Sequence, residues 1–123
     1  MRLKIGNKLV LDVAIKDADG VLITDLATAT AVKFMIKENW NDLDAAAIVS
    51  KSLSNGIVVD TPSTGYIRVT ILSTDTSGIA TATPGDKYCA LQIEYSASNK
   101  IEVDLLDGST ETNLIELIED VIR

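Results

Sequence analysis

The chain of 123 residues contains no histidine and a single cysteine, Cys89. The absence of histidine excludes Ser-His-Asp and Cys-His catalysis, imidazole zinc sites and histidine pH switches. One cysteine cannot form an intramolecular disulfide, so there is no disulfide framework. Because Cys89 lies in the apolar run YCALQIEY with no base beside it, we expect a buried structural thiol and not a nucleophile.

Aromatic residues and clustered positive charge are also scarce. Aromatics make up 4% of the chain, too few to line the sugar-binding cleft that a pair of glycosidase carboxylates would need. The formal net charge is −7 and the 11 lysines and arginines are scattered singly, so phosphate backbones are poor partners. We therefore expect no enzymatic activity, no catalytic residues and no nucleic-acid binding.

Long apolar runs are missing as well. No run approaches the ~18 residues that a membrane-spanning helix requires. The charged, alternating segment that follows Met1 does not have the pattern of a signal peptide. We expect a protein with no membrane partner, located in the cytosol or in a virus particle.

The chain has instead a strong hydrophobic alternation with a period of two, which is typical of β-strands. Residues 8–16 alternate in this way, as do residues 30–37, 66–72 and 100–105, and residues 48–53 and 57–60 form shorter strand-like runs. The inward positions of these runs form the predicted core: Leu9, Leu11, Val13, Ile15, Val32, Phe34, Ile36, Ile67, Val69, Ile71, Ile101, Val103 and Leu105. The pattern predicts a mostly-β protein.

Residue pairs that favour turns separate the predicted strands: Asp19-Gly20, Asn55-Gly56, Thr64-Gly65, Pro84-Gly85, Ser98-Asn99 and Asp107-Gly108. Asn-Gly and Asp-Gly supply the positive φ angles of tight hairpin turns. About seven or eight short strands with such turns predict an all-β fold, an antiparallel β-sandwich that forms one domain over residues 1–123. The connections at residues 39–47 and 73–87 are long enough to cross between sheets, which favours a sandwich over a closed barrel. We expect at most one short helical turn, near residues 73–80, capped by Thr74 or Asp75.

The segment IKDADGVLITDL has the start of a calcium-binding loop but not its spacing. An EF-hand loop needs oxygen ligands at positions 1, 3 and 5, glycine at position 6 and glutamate at position 12. Counted from Asp17, position 3 is Asp19, but position 5 is Val21, position 12 is Thr28 and Gly20 comes two places early. The Asp19-Gly20 pair between two apolar runs fits a hairpin turn, which is our prediction.

Two other groups of acidic residues lie in predicted loops. One contains Asp42 and Asp44, and the other contains Asp104, Asp107 and Glu111. Loops of β-sandwiches sometimes collect carboxylates into calcium sites, but solvated carboxylates are far commoner. We therefore predict no metal site and no cofactor.

Two aromatic residues outside the predicted core raise functional questions. Trp40 lies in the polar segment ENWND, where it either caps the end of the core or stands exposed as an interface anchor. Tyr88 follows Pro84-Gly85 closely, a position from which its hydroxyl can bond to the backbone as a tyrosine corner does. Trp40 is thus the candidate interface residue, and Tyr88 has a structural interpretation.

The C-terminal segment NLIELIEDVIR is the one place where the period is ambiguous. Leu114, Leu117, Ile118 and Val121 recur at helical spacing, and Glu111 is placed early enough to favour a helix start. Periodicity alone therefore predicts a helix over this segment.

Several motifs follow one another in a characteristic order: a D-G turn in KLVLDVAIKDADGVLITDL, then TAVKFMIK, SNGIVV, the G-Y-I-x-V strand of STGYIRVTIL, and TDT before PGDKYCALQIEY. In order and spacing, over roughly residues 5 to 123, they resemble the immunoglobulin-like domain found at the start of phage baseplate upper proteins and in small prophage tail proteins. The resemblance implies an immunoglobulin-like sandwich whose last segment is a strand, with Asp120-Val121-Ile122-Arg123 in the place of a D-V-T-R pattern. It implies no catalytic or ligand-binding residues, because such domains act by assembly.

Two functional hypotheses follow. The first is a non-enzymatic structural protein of a phage or prophage tail or baseplate, located in the virion and in the host cytoplasm before assembly. Its partners would be other phage structural proteins, with a homo-oligomer as a further candidate. Apolar residues on the outward strand positions, such as Val10, Ala14 and Leu72, support this hypothesis because exposed apolar surface is typical of interfaces. The second is an immunoglobulin-like binding module that recognises carbohydrate or a cell-surface protein through its loops.

Overall fold

The computed structural model describes residues 2–15, 21–22, 26–39, 41–60, 65–103 and 114–119. These residues form an all-β structure of nine strands: β1 Arg2–Lys4, β2 Leu9–Ala14, β3 Ala31–Lys37, β4 Val49–Leu53, β5 Gly56–Asp60, β6 Tyr66–Ile71, β7 Gly85–Ser96, β8 Asn99–Val103 and β9 Leu114–Ile118. Helical structure in the described ranges consists of single 3-10 turns at Leu26–Thr28, Asp44–Ala46 and Ser73–Asp75. The last of these lies where a short helical turn was predicted, but its N-cap is Leu72 and not Thr74 or Asp75, and the prediction of at most one helical turn is wrong. The predicted strands are confirmed as β2, β3, β4, β5, β6 and β8, and the strand-like run around Cys89 lies in β7, whereas β1 was not predicted.

The strands form one mixed sheet that is nearly closed and barrel-like, in the order β1-β9-β7-β3-β4-β5-β6-β2. The long strand β7 pairs with β3 along one edge and with β9 and then β8 along the other. The prediction of a wholly antiparallel arrangement is wrong for two pairs, because β1 lies parallel to β9 and β4 lies parallel to β5. Alternation predicts the two faces of a strand but not the direction of its neighbour, which is why these pairs escaped prediction.

The connection at Asn55-Gly56 is a corner and not the predicted hairpin. The last two residues of β4 pair in parallel with the first two of β5, so the chain bends from one part of the sheet into the next. Positive φ angles occur at Ser54 and Gly56, at 64° and 92°. Gly56 also lies over the side chain of Lys51, and a β-carbon at position 56 would stand 2.6 Å from Lys51 Cδ. The glycine is therefore needed both for the bend and for close approach to the strand beneath it.

The interior of the sheet is filled by the alternating positions. Phe34, Ile36, Ile67, Val69, Ile71, Leu91 and Ile93 are fully buried, and Leu3, Ile15, Leu26, Val32, Ile48, Val49, Ile57, Ala82, Cys89, Ile115 and Leu117 complete the core. Leu9, Leu11 and Val13 pack against this cluster while remaining partly exposed. The predicted inward residues of β2, β3 and β6 are thus confirmed, as is the buried state of Cys89. Ile101 of β8, also predicted to be inward, is only half-buried and does not belong to this core, and Leu105 lies outside the described residues.

Of the C-terminal segment, Leu114–Ile118 forms a strand, as the resemblance implied, so the helix predicted from periodicity alone is wrong for these residues. In β9 the buried residues are Ile115 and Leu117, which alternate, while Glu116 and Ile118 are half-buried. The strand lies between β1 and β7 and shares hydrogen-bond ladders with both. These tertiary pairings override the local helical spacing, because strand formation here depends on the neighbours.

A substitution at Ile115 distinguishes the strand alternation of residues 114–118 from the helical spacing. We expect Ile115→Ala to lower the free energy of unfolding by about 2–4 kcal/mol, since it removes a fully buried side chain. Ile118→Ala, at a half-buried position that the helical pattern would place in the core, is the matched control and should cost clearly less. Urea unfolding of both variants provides the measurement. A larger effect at Ile118 than at Ile115 would contradict the strand.

Candidate interaction surfaces

The outer face of β2, β6 and β5 presents apolar side chains to solvent. Because directly paired residues share a face, the register places Val10, Asp12 and Ala14 of β2 on the same face as Thr70, Arg68 and Tyr66 of β6. On β5, Val58 lies opposite Arg68 on this face. Val10 is 43% exposed, Val58 60% and Tyr66 43%. We call Val10, Val58 and Tyr66, with the charged residues between them, the outer patch.

A pair of opposite charges lies in the middle of the outer patch. Arg68 Nε donates to Asp12 Oδ1 at 2.9 Å, and both side chains remain about half exposed. In such a position the ion pair contributes little to stability. It does place two charges of opposite sign among exposed apolar groups.

The outward apolar positions were predicted from the sequence at Val10, Ala14 and Leu72. Val10 is exposed, Leu72 is 47% exposed and Ala14 is half-buried. The sequence did not single out Val58 and Tyr66 as interface residues, because alternation within one strand does not show which outward residues of different strands come together. Only the pairing of β5 with β6 brings these side chains to one face.

A shallow groove lies on the outer face of the neighbouring strands β3 and β7. Its volume is about 230 Å³, and it is lined by Lys33, Met35, Lys37, Asp44, Tyr88, Cys89, Ala90 and Gln92. The volume lies below the ~300–1,000 Å³ range of typical small-molecule sites. Tyr88 belongs to β7 and is 38% exposed, so its ring forms part of the groove wall.

The loop beside this groove is held by Lys37. Its Nζ donates to the backbone carbonyl of Asp42 at 2.9 Å and to Asp44 Oδ1 at 2.7 Å. Asp42 Oδ2 in turn accepts from the backbone N–H of Asn39 at 3.0 Å. The carboxylates of the first acidic cluster are therefore engaged by protein groups.

The acidic residues within the described ranges bear on the question of a metal site. No group of three or more Asp, Glu, Cys or His side chains there could hold a metal ion. The second acidic cluster, Asp104, Asp107 and Glu111, lies outside the described residues, as do Asp17, Asp19 and Gly20 of the predicted turn. Trp40, the candidate interface anchor, also lies outside them.

The ammonium group of Lys37 lowers the pKa of the Asp44 carboxyl below its usual 3.8, first through the hydrogen bond and then through charge attraction. A depressed pKa in the folded state means that the contact stabilises the fold above pH 3.8 and that this contribution is lost as the pH falls through the lower value. Because Asp44 is well exposed, we expect only a small effect on stability.

An NMR titration of the Asp44 carboxyl carbon tests this contact. We expect a midpoint below that of a model peptide in the native protein, and a return towards 3.8 in the Lys37→Met variant. The Lys33→Met variant is the matched control, since Lys33 contributes only the weakest of the charge effects on Asp44. An unchanged midpoint in Lys37→Met would contradict the contact.

Two lysines are buried at inward strand positions, which sequence reasoning missed. Lys51 Nζ lies 2.7 Å from Asp75 Oδ2, and Lys87 Nζ lies 3.0 Å from Glu38 Oε1. Lys87 Nζ also donates to Thr83 Oγ1 at 3.2 Å. The only signal in the sequence was the alternation of the strands, which places each lysine at an inward-facing position. Buried ammonium groups need such partners because desolvation of an unpaired charge is costly.

These lysines anchor the segment between β6 and β7 against the end of the core. Asp75 Oδ2 accepts from the backbone N–H of Leu72 at 2.7 Å as well as from Lys51. The buried Thr76 accepts from the backbone N–H of Gly6 at 2.8 Å through its hydroxyl. Ala82 adds a buried methyl group to the core. The segment is thus held at several points, which gives its polar groups structural roles.

Comparison with known protein-family models and with curated proteins gives no match for this chain. Among the described residues, no helix has the length and apolarity required to span a membrane. The described residues define an all-β protein with an exposed apolar sheet face.

Proposed function

We propose that this protein is a non-enzymatic structural component of a phage or prophage tail or baseplate and that it acts through protein–protein assembly. The outer patch is the observation that carries the proposal. Val58, Tyr66 and Val10, on three successive strands of the sheet, expose large apolar side chains on the face that carries the Arg68–Asp12 ion pair. Isolated exposed apolar residues are common on protein surfaces, whereas several on one sheet face favour an interface.

The proposed fold family is an immunoglobulin-like β-sandwich. The strand order on the two sides of the β4–β5 corner supports it: β2, β6 and β5 lie on one side, and β4, β3, β7, β9 and β1, with β8 paired to β7, lie on the other. The corner at Asn55-Gly56 joins the two sides, as expected for a chain that passes from one layer to the next. The motif order described above adds the resemblance to baseplate and prophage tail domains. In such a particle the partners are other phage structural proteins.

The proposal is tested on particles purified from an induced culture of the source organism. We expect mass spectrometry to detect the chain in gradient-purified tails or virions, in a fixed ratio to the other structural proteins, and immunogold labelling to place it on the tail or baseplate. A replication protein from the same induced culture serves as the control for contamination. Recovery of the chain only in the soluble fraction, with none in assembled particles, would refute the structural role.

The second candidate function is a binding module for carbohydrate or a cell-surface protein. The groove between β3 and β7 favours it, because Tyr88, Gln92 and Lys33 combine an aromatic ring with polar groups. A glycan panel titrated against the fluorescence of Trp40, the only tryptophan, tests the carbohydrate version. A saturable change in Trp40 fluorescence that is lost in Tyr88→Ala would favour this function over assembly. Fluorescence that stays constant across the whole panel would refute carbohydrate binding.

A further inference from the structure

Among the strands that the structure describes, β2 lies at one end of the order and pairs with β6 alone. Ile15 continues the register of β2, and its N–H donates to the carbonyl of Gly65 at 2.7 Å. Hydrogen-bonding directions alternate along an antiparallel strand, so the odd-numbered residues of β2 bond to β6. The N–H and C=O groups of Lys8, Val10 and Asp12 therefore point to the outer edge. Between residues that the structure describes, no backbone hydrogen bond reaches these groups.

We propose that this edge binds a second copy of the same chain, by antiparallel pairing of two β2 strands about a twofold axis at Val10. The segment KLVLD is self-complementary in this register, because Lys8 of each copy lies opposite Asp12 of the other. Val10 pairs with Val10 of the second copy on the outer face. Opposite charges across strands stabilise a pairing, and two such pairs form at once.

The other registers that use the edge-facing groups are less favourable. With Leu11 on the axis, Val10 lies opposite Asp12 of the second copy and no charge pair forms. With Asp12 on the axis, two carboxylates lie directly opposite one another and repel. Charge therefore selects the register centred on Val10.

The inner face gains from the same pairing. Leu9 of one copy comes opposite Leu11 of the other, and both side chains pack on the core while remaining partly exposed in the single chain. Pairing covers their remaining apolar surface and extends the outer patch across the axis from Val10. Such a small contact predicts a weak dimer, with a dissociation constant on the order of 100 μM.

This dimer rests on the proposed assembly role and names one partner for it. The dimer can nevertheless be tested on the isolated protein, independently of the phage role. Sedimentation equilibrium of the purified chain at concentrations up to ~1 mM should show a reversible dimer. Lys8→Glu places two like-charge pairs in the homodimer, and we expect about tenfold weaker dimerisation. Lys33→Glu makes the same change of charge on the outer face of β3 and should leave dimerisation unchanged. Absence of the chain from virus particles would refute the phage role without touching this result.

A mixing experiment separates the proposed register from a general charge effect. Asp12→Lys also creates two like-charge pairs in its own homodimer. When Lys8→Glu and Asp12→Lys are mixed, both cross-strand pairs of the heterodimer have opposite charges. We expect the heterodimer to form with an affinity near that of the native dimer, whereas each variant alone is about tenfold weaker. Circular dichroism checks that Asp12→Lys, which loses its exposed contact with Arg68, remains folded.

Val10→Pro provides a test that does not depend on charge. Proline is tolerated in edge strands where the N–H faces outward, and here it removes a donor that only the dimer uses. We expect a folded monomer. A native chain that stays monomeric at ~1 mM overturns the proposal. A dimer that Val10→Pro leaves intact, or that Lys8→Glu and Lys33→Glu weaken equally, overturns it as well.

Discussion

Asp75→Asn is expected to lower the free energy of unfolding by about 3 kcal/mol, although Asp75 lies in a connecting segment. The amide keeps the shape of the side chain and an oxygen that can accept from the N–H of Leu72. It removes the negative charge that faces Lys51, whose side chain is only 7% exposed. The loss leaves a buried ammonium group without its counter-charge, which costs far more than an exposed ion pair contributes.

Substitution of the partner, Lys51, should lower the free energy of unfolding by much less than Asp75→Asn does. Lys51→Met removes the buried charge and keeps most of the apolar stem that packs beneath Gly56. Asp75 is 22% exposed and retains its bond to the Leu72 N–H, so water can solvate the carboxylate. We expect a cost of about 1 kcal/mol or less. The asymmetry follows from the unequal burial of the two partners.

The double variant Lys51→Met/Asp75→Asn completes the cycle. Once the lysine is absent, the asparagine faces no buried charge, so the double variant should recover most of the stability that Asp75→Asn loses. Urea unfolding at pH 7 and constant ionic strength measures all four proteins. Equal costs for the two single variants, or simple additivity in the double variant, would contradict a buried lysine at position 51.

The second large effect is expected at Phe34, which is fully buried in the middle of β3. Phe34→Ala should lower the free energy of unfolding by about 3–5 kcal/mol, because it removes buried apolar surface and leaves a cavity between close-packed strands. For a domain of this size the melting temperature should fall by more than about 10 °C. The strand lies between β4 and β7, so neighbouring backbone has little freedom to close the cavity.

Tyr66→Ala is the matched control for this aromatic truncation. Tyr66 is 43% exposed in the outer patch, and its loss should cost about 1 kcal/mol or less. Differential scanning calorimetry of both variants provides the comparison. If Tyr66→Ala were as destabilising as Phe34→Ala, the assignment of the two residues to the surface and the core would be wrong.

The faces of individual strands were predictable from the sequence alone. In β3 and β6, strict alternation placed Phe34 and Ile67 inside, because side chains of a strand point to opposite faces in turn. The same rule predicted an exposed Val10 on β2. The interaction surfaces were only partly predictable, since no pattern within one strand indicates which outward residues of other strands lie beside it.

Local sequence also determined an all-β structure, through the period of two and the turn residues between strands. At residues 114–118 the helical spacing and the strand implied by the resemblance disagreed, and the tertiary structure decided for the strand, because β1 and β7 supply ladders that local spacing cannot anticipate. It likewise decided that Lys51 is buried, by bringing Asp75 from a distant segment to its ammonium group. Alternation depends on covalent geometry and is local, whereas neighbours and buried charge partners depend on how the whole chain packs.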